Sequence, residues 1–324
     1  IPGSIGNYVT GVSECSQQRG NLKDDGYKSK IMGESTIMQE KFEIRGATLA
    51  ESEFMIYETS NNISVHALSA LLDGHLAACR VRNFLPSEQS RKIIENFWRS
   101  SARTPRYGEG IEGVEGYFIG ASHIEKDTRQ YIEEAENFRS AINEVFQDTI
   151  NPIDRFIDQI VHFSSNNLRV MRPAMYHGVA AGNVKIVYWN NFGEFLLLPH
   201  DDLAQLSDPR QSDFEIQQIN RVMAVNFYAD VPQNGGQLKV WNIQPDDQSR
   251  SALGLTYSGF PYPSELLEDH ASMVINIEAG DLVLLNGNLV HAVLNGNTIS
   301  APERRLLVTC FMGLQQNGDL IWWT

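Results

Sequence analysis

Residues 194–202 read Glu-Phe-Leu-Leu-Leu-Pro-His-Asp-Asp, a strand-like apolar run that stops abruptly at one histidine and two carboxylates. Alternate side chains of an extended chain share a face, so His200 and Asp202 leave on one side and Asp201 on the other. One imidazole and one carboxylate on one face are two ligands of the facial triad that holds non-haem Fe(II) and leaves coordination positions open. Residues 280–291, Gly-Asp-Leu-Val-Leu-Leu-Asn-Gly-Asn-Leu-Val-His, form a second strand-and-turn run that also ends in histidine. His291 is therefore the candidate third ligand.

The flanking sequence decides whether the two runs can meet. Val184 to Trp189 alternates, Asn190 to Gly193 has turn chemistry, and this hairpin delivers His200. Arg221 to Tyr228 reads as a strand, residues 232–236 as a turn, and Gln237 to Trp241 as the partner strand. A long insertion, Asn242 to His270, precedes strands at Ser272–Ile277, Asp281–Leu285, Leu289–Leu294, Arg305–Gly313 and Leu320–Trp323. Short strands separated by Gly, Asn and Pro turns predict an antiparallel barrel or jelly roll. The fold class is α+β, mainly β: a double-stranded β-helix, cupin-like, with supporting N-terminal helices. In such a fold strand ends from opposite sheets converge at one mouth, which can unite residues far apart in sequence. Spacing alone does not suffice, because eight histidines and 40 acidic residues give roughly one His-x-Asp/Glu by chance. His123-Ile-Glu125 is that accident, lies between a Gly-rich segment and a charged helical run, and is read as surface.

The N-terminal half supplies the support. Residues 1–77 are read as an extension packed on the main domain, with a short helix near Val65 and with His66 and His75 capping or packing. The main domain spans 78–324, with helical support over about 78–165 and the β-helix core over about 166–324. Cys79 to Phe84 reads as a strand, and Ser87 caps a helix running to Trp98. Tyr107 to Gly120, with five glycines, is read as a connection or a substrate-covering loop. Asp127 to His162 is helical, with Tyr131, Ala135, Phe138, Ile142 and Phe146 on one apolar stripe.

Net charge is −14, from 26 basic and 40 acidic residues. No basic stripe appears, which argues against nucleic acid or an anionic membrane as partner. The odd, scattered Cys15, Cys79 and Cys310 lack metal spacing and read as reduced thiols of a cytoplasmic protein.

Beyond His291, Ala301-Pro-Glu-Arg-Arg-Leu-Leu-Val-Thr-Cys-Phe311 opens a strand with paired arginines. A guanidinium at a barrel mouth suits a bidentate grip on a carboxylate. His200-x-Asp202, His291 and Arg305 together resemble the Fe(II)/2-oxoglutarate-dependent dioxygenases. Residues from about 78 to 324 are similar in order to the stand-alone welwitindolinone-type halogenases, through Asn83-Phe-Leu-Pro, Gly235-Gly-Gln-Leu and Ile321-Trp-Trp. Those halogenases have glycine where this chain has Asp202, so the resemblance implies hydroxylation of an unactivated C–H bond. It implies Fe(II) on His200, Asp202 and His291, O2 as oxidant, and 2-oxoglutarate held by Arg305, with Arg304 as fallback and succinate and CO2 released. Tyr188, Asn226 and Tyr228 are weaker pocket candidates. The substrate is expected to be a small molecule of natural-product or amino-acid metabolism; a carrier protein is not indicated. Desaturation, cyclisation or epimerisation use the same cofactors, and a cupin-type iron enzyme or a non-catalytic β-barrel binding protein are the remoter readings.

Overall fold

The computed structural model describes residues 42–107, 114–163, 170–189, 194–232, 234–295 and 305–324. Its core strands are β1 (Lys185–Trp189), β2 (Phe195–His200), β3 (Met223–Asp230), β4 (Gly235–Trp241), β5 (Ser272–Ile275), β6 (Leu282–Asn286), β7 (His291–Asn295) and β8 (Arg305–Leu314). The larger sheet contains the order β6-β3-β8-β1 and the smaller sheet β2-β7-β4-β5, all antiparallel. Consecutive strands alternate between the sheets except β4 and β5, which pair across the long insertion. This is a double-stranded β-helix.

That alternation corrects two expected hairpins. β2 pairs with β7 rather than β1, and β4 pairs with β7 and β5 rather than β3. Local alternation and turn residues mark where strands begin and stop, but they do not say which sheet each strand joins. The Tyr107–Gly120 stretch is also not simply a loop. Thr104–Tyr107 and Val114–Ile119 pair and extend the larger sheet beyond β1, while residues 108–113 lie outside the described residues.

The larger sheet is buried on both faces. Ala224, Tyr228, Val283 and Leu285 face the smaller sheet and pack with Leu196, Leu238, Val240, Ile275 and Val293. Val225, Phe227, Leu282, Leu284, Val308 and Cys310 face the other way. Burial on both faces makes β3 and β6 read as nearly unbroken apolar runs. The helices α1 (Val65–Asp73), α2 (Ser87–Arg99), α3 (Thr128–Val145) and α4 (Pro152–Phe163) supply the outer cover. Ile93 and Phe97 of α2 and Phe156 of α4 are fully buried there, and Phe97→Ala would cost about 3–5 kcal/mol. The α2 cap is Pro86 without a side-chain hydrogen bond, not Ser87, which is the first helical residue; proline's fixed φ suits helix entry. The expected single helix over 127–162 is two, separated before Pro152.

Residues 42–77 lie against the same body. Ile56–Ser60 adds in parallel to Ala78–Arg82, which in turn pairs with β6. Gly46–Ala47 pairs with Gln244–Pro245. The insertion carries helix α5 (Asp247–Ala252) and covers the outer face of the smaller sheet, where Leu255, Tyr262 and Leu267 pack on Phe195, Trp241, Val290 and Ala292. Among the described residues, no helix is long and apolar enough to cross a membrane.

Candidate metal centre

His200 ends β2 and His291 begins β7, and the two sit directly opposite each other in register. They therefore come from neighbouring strands of one sheet, not from opposite sheets as the sequence suggested. Register shifts in β2 before His200 turn its ring to the inner face beside His291. Asp202 follows in the turn, where its N–H donates to the Gly287 carbonyl at 2.7 Å. Gly287 permits this approach, since a Cβ there would stand 2.6 Å from Asp202 Oδ2. Asn288 braces the same turn, donating to Asn220 O at 2.9 Å and accepting from Val222 N at 2.9 Å.

The three side chains form a buried group whose ligand atoms all lie within 4.8 Å of one another. Each imidazole donates Nδ1–H to a backbone carbonyl, His200 to Leu198 at 2.8 Å and His291 to Leu289 at 2.9 Å. A carbonyl can only accept, so both Nε2 atoms are left with lone pairs. Those lone pairs face Asp202, at 3.8 Å from His200 and 3.6 Å from His291, too far for hydrogen bonds. Burial, then the neighbouring His291, pushes His200 down to about 4, and burial likewise lowers His291. Burial pushes the Asp202 carboxyl up to about 7. Asp202 Oδ2 is buried and has no hydrogen-bond partner. An orphaned carboxylate oxygen is costly in a low-dielectric interior, and a divalent cation between two neutral imidazoles and one carboxylate would relieve it. The donor set, two nitrogens and one oxygen, suits Fe(II) with open positions.

Arg305 starts β8 on the inner face of the larger sheet, the side that carries Asn226 and Tyr228. It is 2% exposed, its Nε is buried without a partner, and Nη2 donates to Tyr228 Oη at 3.4 Å. The guanidinium also lies 5.1 Å from the Tyr228 ring centre. Among the described residues no carboxylate pairs with it, so the fold holds a buried fork available to an anion. Arg304 lies outside the described residues. Asn226 accepts from the Thr309 hydroxyl at 2.6 Å. Tyr188 is a correction: opposite Leu306, it faces the helices and packs against Trp98 on the far side of the sheet.

His123 is a second correction. It is buried, not surface, with Nδ1 donating to Gln211 Oε1 at 3.2 Å, and burial pushes it down to about 4. His66 is exposed, and exposed His75 pairs with Glu53 at 2.9 Å. Cys79 and Cys310 are buried free thiols raised by burial; Cys15 lies outside the described residues. Sequence reasoning missed Arg250 and Tyr262, which reach Asp201 from the insertion. The signal available was Asp201 itself, a carboxylate aimed away from the site and in need of its own donors.

The sequence model of the family described as the carrier-protein-independent halogenase WelO5 matches residues 53–324. The chain belongs to this family. It is an Fe(II)/2-oxoglutarate-dependent oxygenase, an oxidoreductase. It is similar to the L-isoleucine 3(1)-dioxygenase of Pantoea ananatis, 28% identical over 259 residues that cover 75% of this chain and 82% of that protein. The L-gamma-glutamyl-L-propargylglycine hydroxylase of Streptantibioticus cattleyicolor is 30% identical over 111 residues, 33% of this chain and 38% of its own length. The crystal structure of an N-substituted L-amino acid dioxygenase from Burkholderia ambifaria shares the fold, with TM-score 0.51 and 14% identity over 80% of this chain and 91% of that one.

Proposed function

We propose that His200, Asp202 and His291 hold Fe(II), that Arg305 binds the distal carboxylate of 2-oxoglutarate, and that the enzyme hydroxylates an aliphatic C–H bond of a free amino acid or a close derivative. The observation that carries the reading is the buried, partnerless Asp202 Oδ2 faced by two imidazole lone pairs. The buried guanidinium of Arg305, which meets no carboxylate among the described residues, supports the second element. The substrate class rests on the Pantoea relative, whose likeness runs through three quarters of this chain. When bound, Fe(II) and 2-oxoglutarate supply O2 activation, coupling decarboxylation of the keto acid to oxidation of the substrate.

The chain's own residues do the rest. The Leu198 and Leu289 carbonyls hold both imidazoles in the tautomer that presents Nε2. Asp202 would contribute a carboxylate ligand and negative charge where the halogenases that the chain resembles have glycine, which supports hydroxylation over halogenation. Tyr228, under Arg305, orients the fork toward a carboxylate. The apolar cluster between the sheets keeps water away from these groups. Residues 1–77 are read as an extension and 78–324 as the oxygenase domain. The stand-alone character of the family supports a free small molecule over a carrier-bound one, and the buried free thiols support a reducing, cytoplasmic setting.

The test is an anaerobic titration of the apo protein with Fe(II) and then 2-oxoglutarate, followed by aerobic assay with aliphatic L-amino acids. A charge-transfer band that needs both additions, with succinate and a mass gain of one oxygen, is the expected result. Iron binding with no band on adding the keto acid would move the protein to the cupin-type reading. A band without oxidation of any amino acid would overturn the substrate class alone.

A further inference from the structure

The residue between the two ligands of the metal turn is built into a clamp. Asp201 is fully buried and accepts from the N–H of Ala204 at 2.9 Å, the Tyr262 hydroxyl at 2.7 Å, and Arg250 Nε at 3.2 Å and Nη2 at 3.1 Å. Arg250 and Tyr262 both come from the insertion that covers the outside of the smaller sheet. The same segment grips the backbone on either side. Tyr262 N–H donates to Pro199 O at 2.8 Å and Asp201 N–H to Gly259 O at 3.0 Å. Gly259 allows this contact, having φ +58° and no side chain where a Cβ would stand 2.6 Å from Asp201 O. Phe260 then sets its ring edge-on to His200, 6.1 Å between centres. Every residue from Pro199 to Asp201 is thus touched by residues 259–262.

A buried ion pair is a poor device for stability, since apolar replacements of the same shape are often as stable or more so. What such a pair does supply is a fixed geometry, because one guanidinium fork and one hydroxyl satisfy a carboxylate in a single arrangement. Here the fixed element is the turn from which His200 and Asp202 project in opposite directions to Asp201.

We propose that Arg250 and Tyr262 are positioning residues that set the metal-binding turn through Asp201, making the insertion part of the metal site without touching the metal. The inference rests on the reading of His200, Asp202 and His291 as Fe(II) ligands. Residues that orient a ligand set change metal affinity by roughly 10- to 100-fold when altered.

Anaerobic Fe(II) titration of wild type, Tyr262→Phe, Arg250→Lys and Leu267→Ala tests it, with thermal unfolding of each apo protein alongside. Leu267 is buried in the insertion but makes no contact with Asp201 among its hydrogen bonds, so its truncation reports loosened packing alone. Tyr262→Phe and Arg250→Lys should weaken Fe(II) binding by about tenfold or more and dim the charge-transfer band with 2-oxoglutarate. Leu267→Ala should lower Tm and leave Fe(II) affinity at the wild-type value. Folded Tyr262→Phe and Arg250→Lys proteins with wild-type affinity would overturn the clamp, as would an equal loss in Leu267→Ala. Failure of wild type itself to bind Fe(II) would overturn the ligand reading and the clamp with it.

Discussion

In two segments of this chain a carboxylate follows a histidine by two residues, and both of these histidines are buried. Burial pushes His123 and His200 alike down to about 4. Neither burial nor a depressed basicity therefore distinguishes a candidate metal ligand from a packed ring. The difference lies in where the nitrogens point. His123 is held through Nδ1 by Gln211 and wedged among Tyr131, Phe311 and Trp323, with ring centres 6.1 to 6.5 Å away. Its companion Glu125 is exposed, at φ 62°. His200 spends Nδ1 on the carbonyl two residues back and turns Nε2 to a carboxylate and a second imidazole. A spacing becomes a site only when the fold leaves the lone pair facing other ligands.

The largest contrast between the segments should appear on removing the rings. His291→Ala or Asp202→Ala should abolish Fe(II) binding and 2-oxoglutarate turnover while the far-ultraviolet circular dichroism stays native. His123→Asn should keep stoichiometric iron. Wild-type turnover in either ligand variant, or loss of iron on changing His123, would erase the distinction.

A pH experiment sharpens the other side. With its folded value near 4 below the unfolded value of about 6.5, His123 binds a proton more readily in the unfolded chain. Its contribution therefore makes stability rise with pH from about 4 to 6.5 and level off above. The full shift corresponds to roughly 3 kcal/mol. His123→Asn should reduce the loss of urea midpoint between pH 7 and pH 4.5 in the apo protein. An unchanged acid limb would mean that His123 is not what the native state keeps neutral.

Next in size is the anion fork. Arg305→Ala should raise the 2-oxoglutarate concentration for half-maximal turnover some tens-fold, about 2 kcal/mol for a charge-assisted contact. Tyr228→Phe should raise it only a few-fold, about 1 kcal/mol. Saturation curves that do not move in Arg305→Ala would transfer the role to another cation.

The candidate pair His200 and Asp202 was legible because both stand where an apolar strand-like run stops, although the register shifts before His200 and the turn that carries Asp202, not simple alternation, set their directions. The fold class was legible too, since short strands with turn residues between them are a local signal. Pairing was not. β2 lies against β7, some 90 residues on, and residues 190–193 between β1 and β2 have the composition of a hairpin turn either way. Tyr188 illustrates the limit on the larger sheet. With both faces buried, apolar content does not reveal which parity looks inward, and the pairing of β8 with β1 decides it. Asp201 signalled that donors were needed, but nothing local named Arg250 and Tyr262, which lie 49 and 61 residues away.

The smallest expected effect bears on what separates this chain from the halogenases it resembles. In Asp202→Gly the carboxylate that packs against Gly287 is gone, leaving a buried space flanked by His200 and His291. Both imidazoles keep their carbonyl partners, because neither hydrogen bond involves Asp202. The substitution removes negative charge from the site proposed to hold Fe(II), and chloride is an anion of suitable size to restore it. Against this, one protein ligand fewer weakens the hold on iron, so total turnover should drop steeply. The net expectation is a trace of chlorinated product at high chloride, read by mass spectrometry against a chloride-free control. Only hydroxylated or unreacted substrate at saturating iron would show that an emptied position is insufficient, and that halide binding requires side chains beyond His200, His291 and position 202.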